Sequence, residues 1–239
     1  PIISGKDYIT IAGGEKNIAP NSKYWFGTDS MGRDLFARAW VGLRASLLVA
    51  AVASVVQLVI GCLYGAIMAT VGGIVDEIMM RIVEVLSCLP NLILVTLLLV
   101  VFGNGYIQLL FALSFSSWTG TARLVRGQLL KLKESEYVLA SKALGSSNAH
   151  RIVKHLLPNT VGLLILEMAQ AIPSVIFSES SLSFLGIGLM PPNFSLGSML
   201  AQGQTAMAFY PYQLVVPCVL LSLLVLSFNV IGDALRDAL

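Results

Sequence analysis

The side chains that could do chemistry are few, and their spacing does not make a catalytic site. The two histidines, His150 and His155, lie in one polar loop without a metal-binding pattern such as H-E-x-x-H. The chain has no G-x-x-x-x-G-K-[ST] loop to hold a phosphate, and no histidine lies in the apolar stretches to activate a serine there. Basic residues are not interleaved with aromatic ones, as a nucleic-acid groove would require. The sequence therefore predicts neither an enzyme nor a nucleic-acid-binding protein.

Two carboxylates, Glu167 and Glu179, lie within an otherwise apolar stretch. Burying a charge in a bilayer is costly, so such residues usually face a partner or a water-filled pathway. Glu179, together with Ser180 and Ser183, could line a translocation path and meet an amino group or a cation. Equally, Glu179 could form a hydrogen bond or salt bridge that locks neighbouring spans, which is the role we favour for Glu167.

The composition places these residues in a membrane protein. Hydrophobic residues make up 56% of the 239 residues and charged residues only 12%, whereas soluble domains average about 25% charged residues. Cys62, Cys88 and Cys218 lie in or beside apolar stretches, and we expect buried thiols rather than disulfides or zinc ligands.

Uncharged runs and turn signals predict an all-α integral membrane protein, a polytopic helical bundle with five spans in this chain. The predicted spans cover residues 45–71, 85–102, 106–125, 160–186 and 214–231. Pro90 is expected to kink the second span. Gly61 and Gly65 would let the first span pack closely on another helix.

The distribution of charge predicts which side each loop faces. Basic residues cluster between Arg123 and Lys154, so this segment is expected in the cytoplasm, and residues 191–210 contain no Lys or Arg and are expected outside. The link after the first span would be a solvated helix turn with a Glu77–Arg81 pair. Its charged residues are Asp76, Glu77, Arg81 and Glu84.

The cytoplasmic residues 135–159 predict a helix, a glycine turn and a second short helix. Ser135 is a suitable N-cap, Glu136 suits the positive end of the helix dipole, and Gly145 fits a left-handed C-terminal turn. One face of the first helix is small at its centre and suits docking into a groove of another protein. The members of this face are Tyr137, Ala140, Ser141 and Leu144.

The spacing of this segment resembles the EAA loop of bacterial ABC importer permeases. The matching positions are Ala140, Ser141, Gly145, Leu157 and Pro158. Leu139, Ser141 and His155 replace the usual Glu, Ala and Ile of the family, and Glu136 supplies an acid nearby. The resemblance implies that residues 131–159 form a cytoplasmic coupling loop that docks on a partner ATPase.

The segment before the first span gives a second resemblance. Thr28 or Asp29 would cap an amphipathic surface helix that runs to about Trp40, so that residues 1–40 form an extracytoplasmic segment and 41–239 the permease domain. Residues 27–34, with Gly27, Asp29, Gly32, Arg33 and Asp34, resemble the C-type permeases of dipeptide, oligopeptide and nickel importers. We expect Asp29, Arg33 and Asp34 to shape the outer mouth or to receive a binding protein. A membrane anchor alone is the alternative.

Two further motifs, at 178–193 and 228–239, complete the resemblance from residue 27 to residue 239. It implies a type I ABC importer permease, a non-catalytic subunit that translocates oligopeptides or dipeptides, or alternatively nickel or another small solute. The implied partners are a second similar permease, two ATPases that bind ATP and Mg, and an extracytoplasmic binding protein. No cofactor is expected in this chain itself. A secondary transporter is a weaker alternative because the sequence shows no internal repeat.

The resemblance also implies a location and a missing element. Such permeases lie in the bacterial cytoplasmic membrane. They carry one more span before the region that matches this chain, so we expect a further span upstream of Pro1.

Overall fold

The computed structural model describes residues 15–156, 158–189 and 193–238. Most of these residues are helical, and the described ranges contain no β-strand, only a single bridge between Thr28 and Asp34. The α-helices are α1 Leu35–Val71, α2 Gly73–Ser87, α3 Asn91–Phe102, α4 Tyr106–Lys133, α5 Glu136–Ala143, α6 Asn148–Arg151, α7 Val161–Phe184, α8 Leu196–Ala206 and α9 Tyr212–Ala238. A π-helical turn, Ile152–Leu156, and a 3-10 turn, Pro158–Thr160, lead from α6 to α7.

Helix α1 begins later than the sequence predicted and continues without a break into the membrane. Asp34 caps it, since its Oδ1 accepts a hydrogen bond from the backbone nitrogen of Phe36 at 2.9 Å. The preceding residues cannot be helical because Gly27 and Gly32 both have φ of +79°. The predicted surface helix is therefore wrong for residues 28–34, and residues 35–40 belong to α1. The domain boundary at residue 40 stays a prediction.

The packing of α1 against α4 depends on two glycines, as predicted. A Cβ atom on Gly61 would lie 2.6 Å from the Cβ of Thr121. A Cβ atom on Gly65 would lie 2.4 Å from the carbonyl oxygen of Ala122. Because real side chains do not approach so closely, only glycine lets the two helices meet here.

The second predicted span is two helices rather than one kinked helix. Helices α2 and α3 meet at an angle of 88° across the short break that contains Pro90. Within the described residues, three helices are long and apolar enough to cross a membrane, or four if this bent pair is one span. The three are α1, α9 and α7 with its preceding turn. Helix α4 would be the fifth span, and it remains a prediction because its second half is basic.

Helix α2 is attached to α4 rather than solvated along its length. Asp76 accepts two hydrogen bonds from the guanidinium of Arg126, both at 2.6 Å. Arg81 pairs with Glu84 at 2.7 Å, so the predicted Glu77–Arg81 pair is wrong. The predicted solvated turn is a 15-residue helix, and one of its acidic side chains faces a neighbouring helix.

The apolar core lies between α1, α3, α4 and α7, with smaller clusters towards each end of the bundle. Much apolar surface remains outside, as expected of a membrane subunit. Cys88 and Cys218 lie on such outer faces and are exposed, while Cys62 is half-buried. The prediction of three buried thiols is therefore wrong for the isolated chain.

Candidate functional site

The predicted coupling loop is anchored by apolar side chains to one end of the helical bundle. Val138 of α5 and Leu156 of the π-helical turn are buried in one cluster with Ala69, Val125 and Leu129. These two contacts fix the loop at both ends, because one precedes the glycine turn and the other follows it. The loop is thus a packed element and not a free linker.

Hydrogen bonds shape the turn after α5. Gly145 has φ of +81°, which confirms the predicted left-handed turn. Ser146 donates from its backbone nitrogen (3.2 Å) and its hydroxyl (2.7 Å) to the carbonyl oxygen of Ser141. The hydroxyl groups of the two serines are 2.8 Å apart. Ser141, which departs from the alanine of the family pattern, therefore bonds to the turn.

The start of α5 differs from the prediction. The hydroxyl of Ser135 donates to the carbonyl oxygen of Leu132 at 2.5 Å, so this side chain does not cap the helix. Its own carbonyl oxygen accepts from the backbone nitrogens of Val138 and Leu139. Ser135 therefore joins α4 to α5 through its backbone.

The face predicted to dock on an ATPase is largely exposed. Leu144 is 88% exposed, which is unusual for a leucine and leaves an apolar side chain for a partner to cover. Nothing lies within 4 Å of a Cβ built on Gly145. Glu136, Tyr137, Ala140 and Pro158 are also exposed, and Ser141 is half-buried. Leu157 lies outside the described residues, and the docking role of the whole set stays a prediction.

A third contact joins the base of this loop to the first span. The ammonium group of Lys133, the last residue of α4, donates to the carbonyl oxygen of Ala69 in the last turn of α1. A cation at a helix C-terminus is favourable because the carbonyl groups there carry partial negative charge. The inner ends of α1 and α4 are therefore joined just before the chain enters α5.

At the opposite end of the molecule, Asp29 is the centre of a buried ionic cluster. It accepts hydrogen bonds from the backbone nitrogens of Met31 and Arg33, both at 2.9 Å, and from the side chain of Arg33 at 2.7 Å. It also pairs with Arg38. The guanidinium of Arg38 in turn donates to Gln202 at 3.0 Å and lies 3.9 Å over the ring of Phe194.

This cluster holds the segment before α1 against α8 and α9. Gln213 donates its amide to the carbonyl oxygen of Thr28 at 3.1 Å, and the hydroxyl of Tyr212 donates to the same oxygen at 3.1 Å. Earlier in the segment, the Tyr24 hydroxyl donates to the Glu15 carboxylate, which raises the pKa of Tyr24. The motif at residues 27–34 therefore has a structural role, because it attaches the segment before α1 to α8 and α9.

The three predicted outer-mouth residues take different positions. Asp34 is the helix cap, Asp29 is 4% exposed, and Arg33 is partly exposed. Asp29 and Arg33 border a polar cavity of about 410 Å³ between this segment, α8 and the start of α9. The geometry leaves Arg33 as the member of the three best placed to meet another molecule. A role in receiving a binding protein stays a prediction.

Glu179 is completely buried among hydroxyl groups. Ser46 of α1 donates to its Oε2 at 2.7 Å, Ser183 donates to its Oε1 at 2.8 Å, and the hydroxyl of Ser180 lies 3.4 Å from Oε2. Ser183 also accepts from the backbone nitrogen of Leu189 at 3.1 Å. The carboxyl group therefore connects α1, α7 and the turn after α7. This geometry favours the locking role, while the path role for Glu179, Ser180 and Ser183 is untested.

Glu167 likewise contacts a neighbouring helix, since its Oε1 accepts from Thr121 of α4 at 3.1 Å.

Sequence reasoning did not identify Ser46, Phe194, Gln202 or Gln213 as partners of these clusters. Each lies more than a hundred residues from the group it contacts, and no local spacing marks such pairs.

Comparison with known proteins is consistent with this arrangement. Residues 57–239 match the family described as the binding-protein-dependent transport system inner membrane component. The oligopeptide transport system permease protein OppC of Bacillus subtilis (strain 168) is 42% identical over 239 residues, covering 100% of this chain and 78% of the relative. The dipeptide transport system permease protein DppC of the same organism is 44% identical over 240 residues, covering 100% of this chain and 75% of the relative.

The fold is also similar to that of a solved transporter. A chain of the inward-facing MetNI methionine ABC transporter superposes with a TM-score of 0.70 at 20% sequence identity, covering 84% of this chain and 97% of that one. The helical bundle is thus that of a type I ABC importer permease. The chain is therefore an integral membrane protein that belongs to the family of binding-protein-dependent transport system inner membrane components.

Proposed function

We propose that this chain is the translocation subunit of an ATP-driven importer of oligopeptides or dipeptides in the bacterial cytoplasmic membrane. The observation that carries the proposal is the exposed, small-residue face of α5, held rigidly against the inner ends of α1 and α4 by Val138 and Leu156. A rigid protrusion of this kind can transmit movement between a partner and the spans. Relatives named as oligopeptide and dipeptide permeases support the choice of solute.

The proposed division of labour leaves the chemistry to other subunits. Two cytoplasmic ATPases bind ATP and Mg and receive the α5 face, and this chain performs no catalysis and holds no cofactor. A second, similar permease completes the path. An extracytoplasmic binding protein delivers the peptide near the 410 Å³ cavity beside Asp29 and Arg33. Closure of the ATPases moves the coupling loop, and the spans then open outward.

Reconstitution into liposomes tests the proposal directly. The complex is purified through a tag on this chain, its co-eluting subunits are identified, and uptake of labelled peptides is measured with and without ATP. We expect ATPase subunits to co-elute and peptide uptake to require both ATP and the binding protein. Uptake driven by an ion gradient without ATP would contradict the mechanism, and uptake of nickel but not of peptides would contradict the solute.

A further inference from the structure

One face of α7 carries polar side chains along most of the helix. This α7 stripe consists of Glu167, Gln170, Ser174, Ser178 and Ser181. At about 100° per residue, the five lie within roughly 80° of one another around the helix axis. Gln170 and Ser174 are exposed, and the other three are half-buried. The stripe therefore points away from the core of this chain.

The stripe is separate from the buried polar cluster on the same helix. Glu179, Ser180 and Ser183 lie more than roughly 100° around the axis from its centre, and all three are buried. Helix α7 thus has two polar faces with different surroundings. One is closed by α1 and the turn after α7, and the other is open.

The stripe extends across most of a membrane. From residue 167 to residue 181 the helix rises roughly 21 Å, against a hydrocarbon thickness of about 30 Å. A local contact with another subunit would need only a polar patch at one depth. A continuous stripe suits a surface along which a polar solute moves from one side to the other.

Among the residues of the stripe, Gln170 would be the most unfavourable to expose to lipid. It is the tenth of the 24 residues of α7, close to the middle of the helix. Its side chain is exposed, and within the described part of the chain it makes no hydrogen bond. A primary amide that faces hydrocarbon without a partner is strongly disfavoured. Gln170 therefore requires water or a polar ligand outside this chain.

Two of the three serines of the stripe, Ser178 and Ser181, need no partner subunit. Ser178 donates its hydroxyl to the carbonyl oxygen of Ser174 at 2.9 Å, and Ser181 donates to that of Phe177 at 2.8 Å. Each hydroxyl is satisfied by its own helix, yet its oxygen can still accept a hydrogen bond from a passing group. Such a surface offers weak, repeated contacts and no strong binding site.

Cavities without charged side chains flank the outer half of the stripe. One of about 530 Å³ lies between α7, α8 and α9 and is mostly apolar, with Ser181 at its edge and Gln204 in its wall. A smaller one of about 130 Å³ lies between α3 and α7, where Asn91 faces Ser178 and Ser181. The stripe is therefore bordered on both sides by space that suits uncharged or apolar side chains.

We infer that the α7 stripe is this subunit's wall of the solute path, with Gln170 as its mid-membrane contact to the amide groups of a peptide main chain. The inference rests on the proposed function and specifies the solute chemistry at that path. All peptides share main-chain amides, whereas their side chains vary. Apart from Glu167, whose carboxylate accepts from Thr121 of α4, the stripe offers neutral donors and acceptors. Beside uncharged cavities, these groups match the shared part and accommodate the variable part.

Thiol accessibility in the assembled complex tests this wall. The native cysteines are replaced by alanine, and Gln170→Cys, Ser174→Cys and Ser181→Cys are treated with a membrane-impermeant methanethiosulfonate during ATP turnover. Ile176→Cys is the matched control, because it lies two residues from Ser174, at nearly the same depth, on the buried face of the helix. Val219→Cys, on the exposed apolar side of α9, is the control for a lipid-facing position.

We expect the three stripe positions to react, both controls to stay unmodified, and a transported peptide to slow the reaction at position 170 several-fold. Equal reactivity at 174 and 176 would overturn the inference, as would protection of the whole stripe with cross-linking to the second permease. A modification rate at position 170 that does not change when peptide is added would contradict the proposed contact with the peptide main chain. Peptide uptake by the cysteine-free complex is measured in parallel, so a failure of the proposed function is recognised separately.

Discussion

At the residue scale, the polar groups of this chain fall into buried pairs that hold helices together and exposed groups that remain for other molecules. Glu179 and Asp29 belong to the first kind, since hydroxyl or guanidinium groups surround both carboxylates. Gln170 belongs to the second kind, and Arg33 lies between the two, because it is half-buried and paired with Asp29. Residue type alone does not separate the two kinds, because a carboxylate in a span could belong to either.

Removing the buried carboxylate should destabilise the subunit. Glu179→Ala leaves the hydroxyls of Ser46 and Ser183 without their acceptor, and an unsatisfied buried polar group costs about 1–3 kcal/mol. We expect a lower melting temperature of the detergent-solubilised complex and a smaller loss for Ser46→Ala. Size-exclusion chromatography after heating measures both. Normal stability of Glu179→Ala with loss of transport would instead favour the path role.

The cap of α1 should be separable from any role at the outer mouth. Asp34→Ala removes the bond to Phe36 and should cost about 1 kcal/mol, whereas Asp34→Asn keeps a capping oxygen and should cost little. Arg33→Ala leaves the cap of α1 intact. If this variant lowers the affinity for the binding protein without changing the melting temperature, Arg33 contacts the binding protein directly. Equal melting temperatures for Asp34→Ala and Asp34→Asn would contradict the capping role.

At the element scale, two close contacts decide how the helices are arranged. Gly61 and Gly65 bring α1 against α4, and the turn at Gly145 ends α5. Both features were predictable, because glycine spacing and glycine turns are local signals. The 88° break between α2 and α3 was underestimated, since Pro90 indicates a bend without fixing its angle.

A side chain at the α1–α4 contact should prevent assembly. The Cβ of Gly65→Val would lie 2.4 Å from a backbone oxygen that cannot move aside, whereas a Cβ on Gly120 meets nothing within 4 Å. We expect Gly65→Val to lower the amount of permease in the membrane strongly and Gly120→Ala to leave it unchanged. Quantitative immunoblotting of membranes compares the two, and equal amounts would show that the helices can separate there.

The turn after α5 gives a prediction about coupling. Gly145→Ile should strain a backbone with φ of +81°, while Gly145→Asn should be tolerated because Asn adopts this conformation more readily. Ala140→Trp should hold an ATPase away by bulk alone. We expect Gly145→Ile and Ala140→Trp to reduce ATPase co-purification and transport while the permease stays in the membrane. Normal transport by both variants would exclude the docking role of this face.

Most of the helices and the glycine turn after α5 could be predicted because apolar runs and glycines act over a few residues. The contacts of the outer segment could not be predicted in the same way. Arg38 lies within the stretch predicted as an amphipathic surface helix, yet it is 2% exposed because Asp29, Gln202 and Phe194 enclose it. Two of these partners come from α8 and the loop before it, and only the folded chain brings them together.

At the scale of the whole molecule, the coupling loop and the outer cluster lie at opposite ends of the bundle. Topology can be tested in intact cells with an impermeant thiol reagent on a background without native cysteines. We expect Thr205→Cys to react and Glu134→Cys to be protected, because both side chains are exposed and only the first is predicted outside. The reverse pattern would invert the topology. Ser195 is unsuitable as a probe because it is buried.

Because α1 is one unbroken helix, a movement at one of its ends can be transmitted to the other. Its 37 residues extend roughly 55 Å, from the ionic cluster at Asp29 to the carbonyl group held by Lys133. Its closest approach to α4, between Gly61 and Gly65, lies roughly 12 Å from the inner end and roughly 42 Å from the outer end. In a rigid rod that pivots there, the two ends swing in opposite directions, and the outer end travels roughly three times as far. A small displacement of the coupling loop would thus be magnified at the outer mouth.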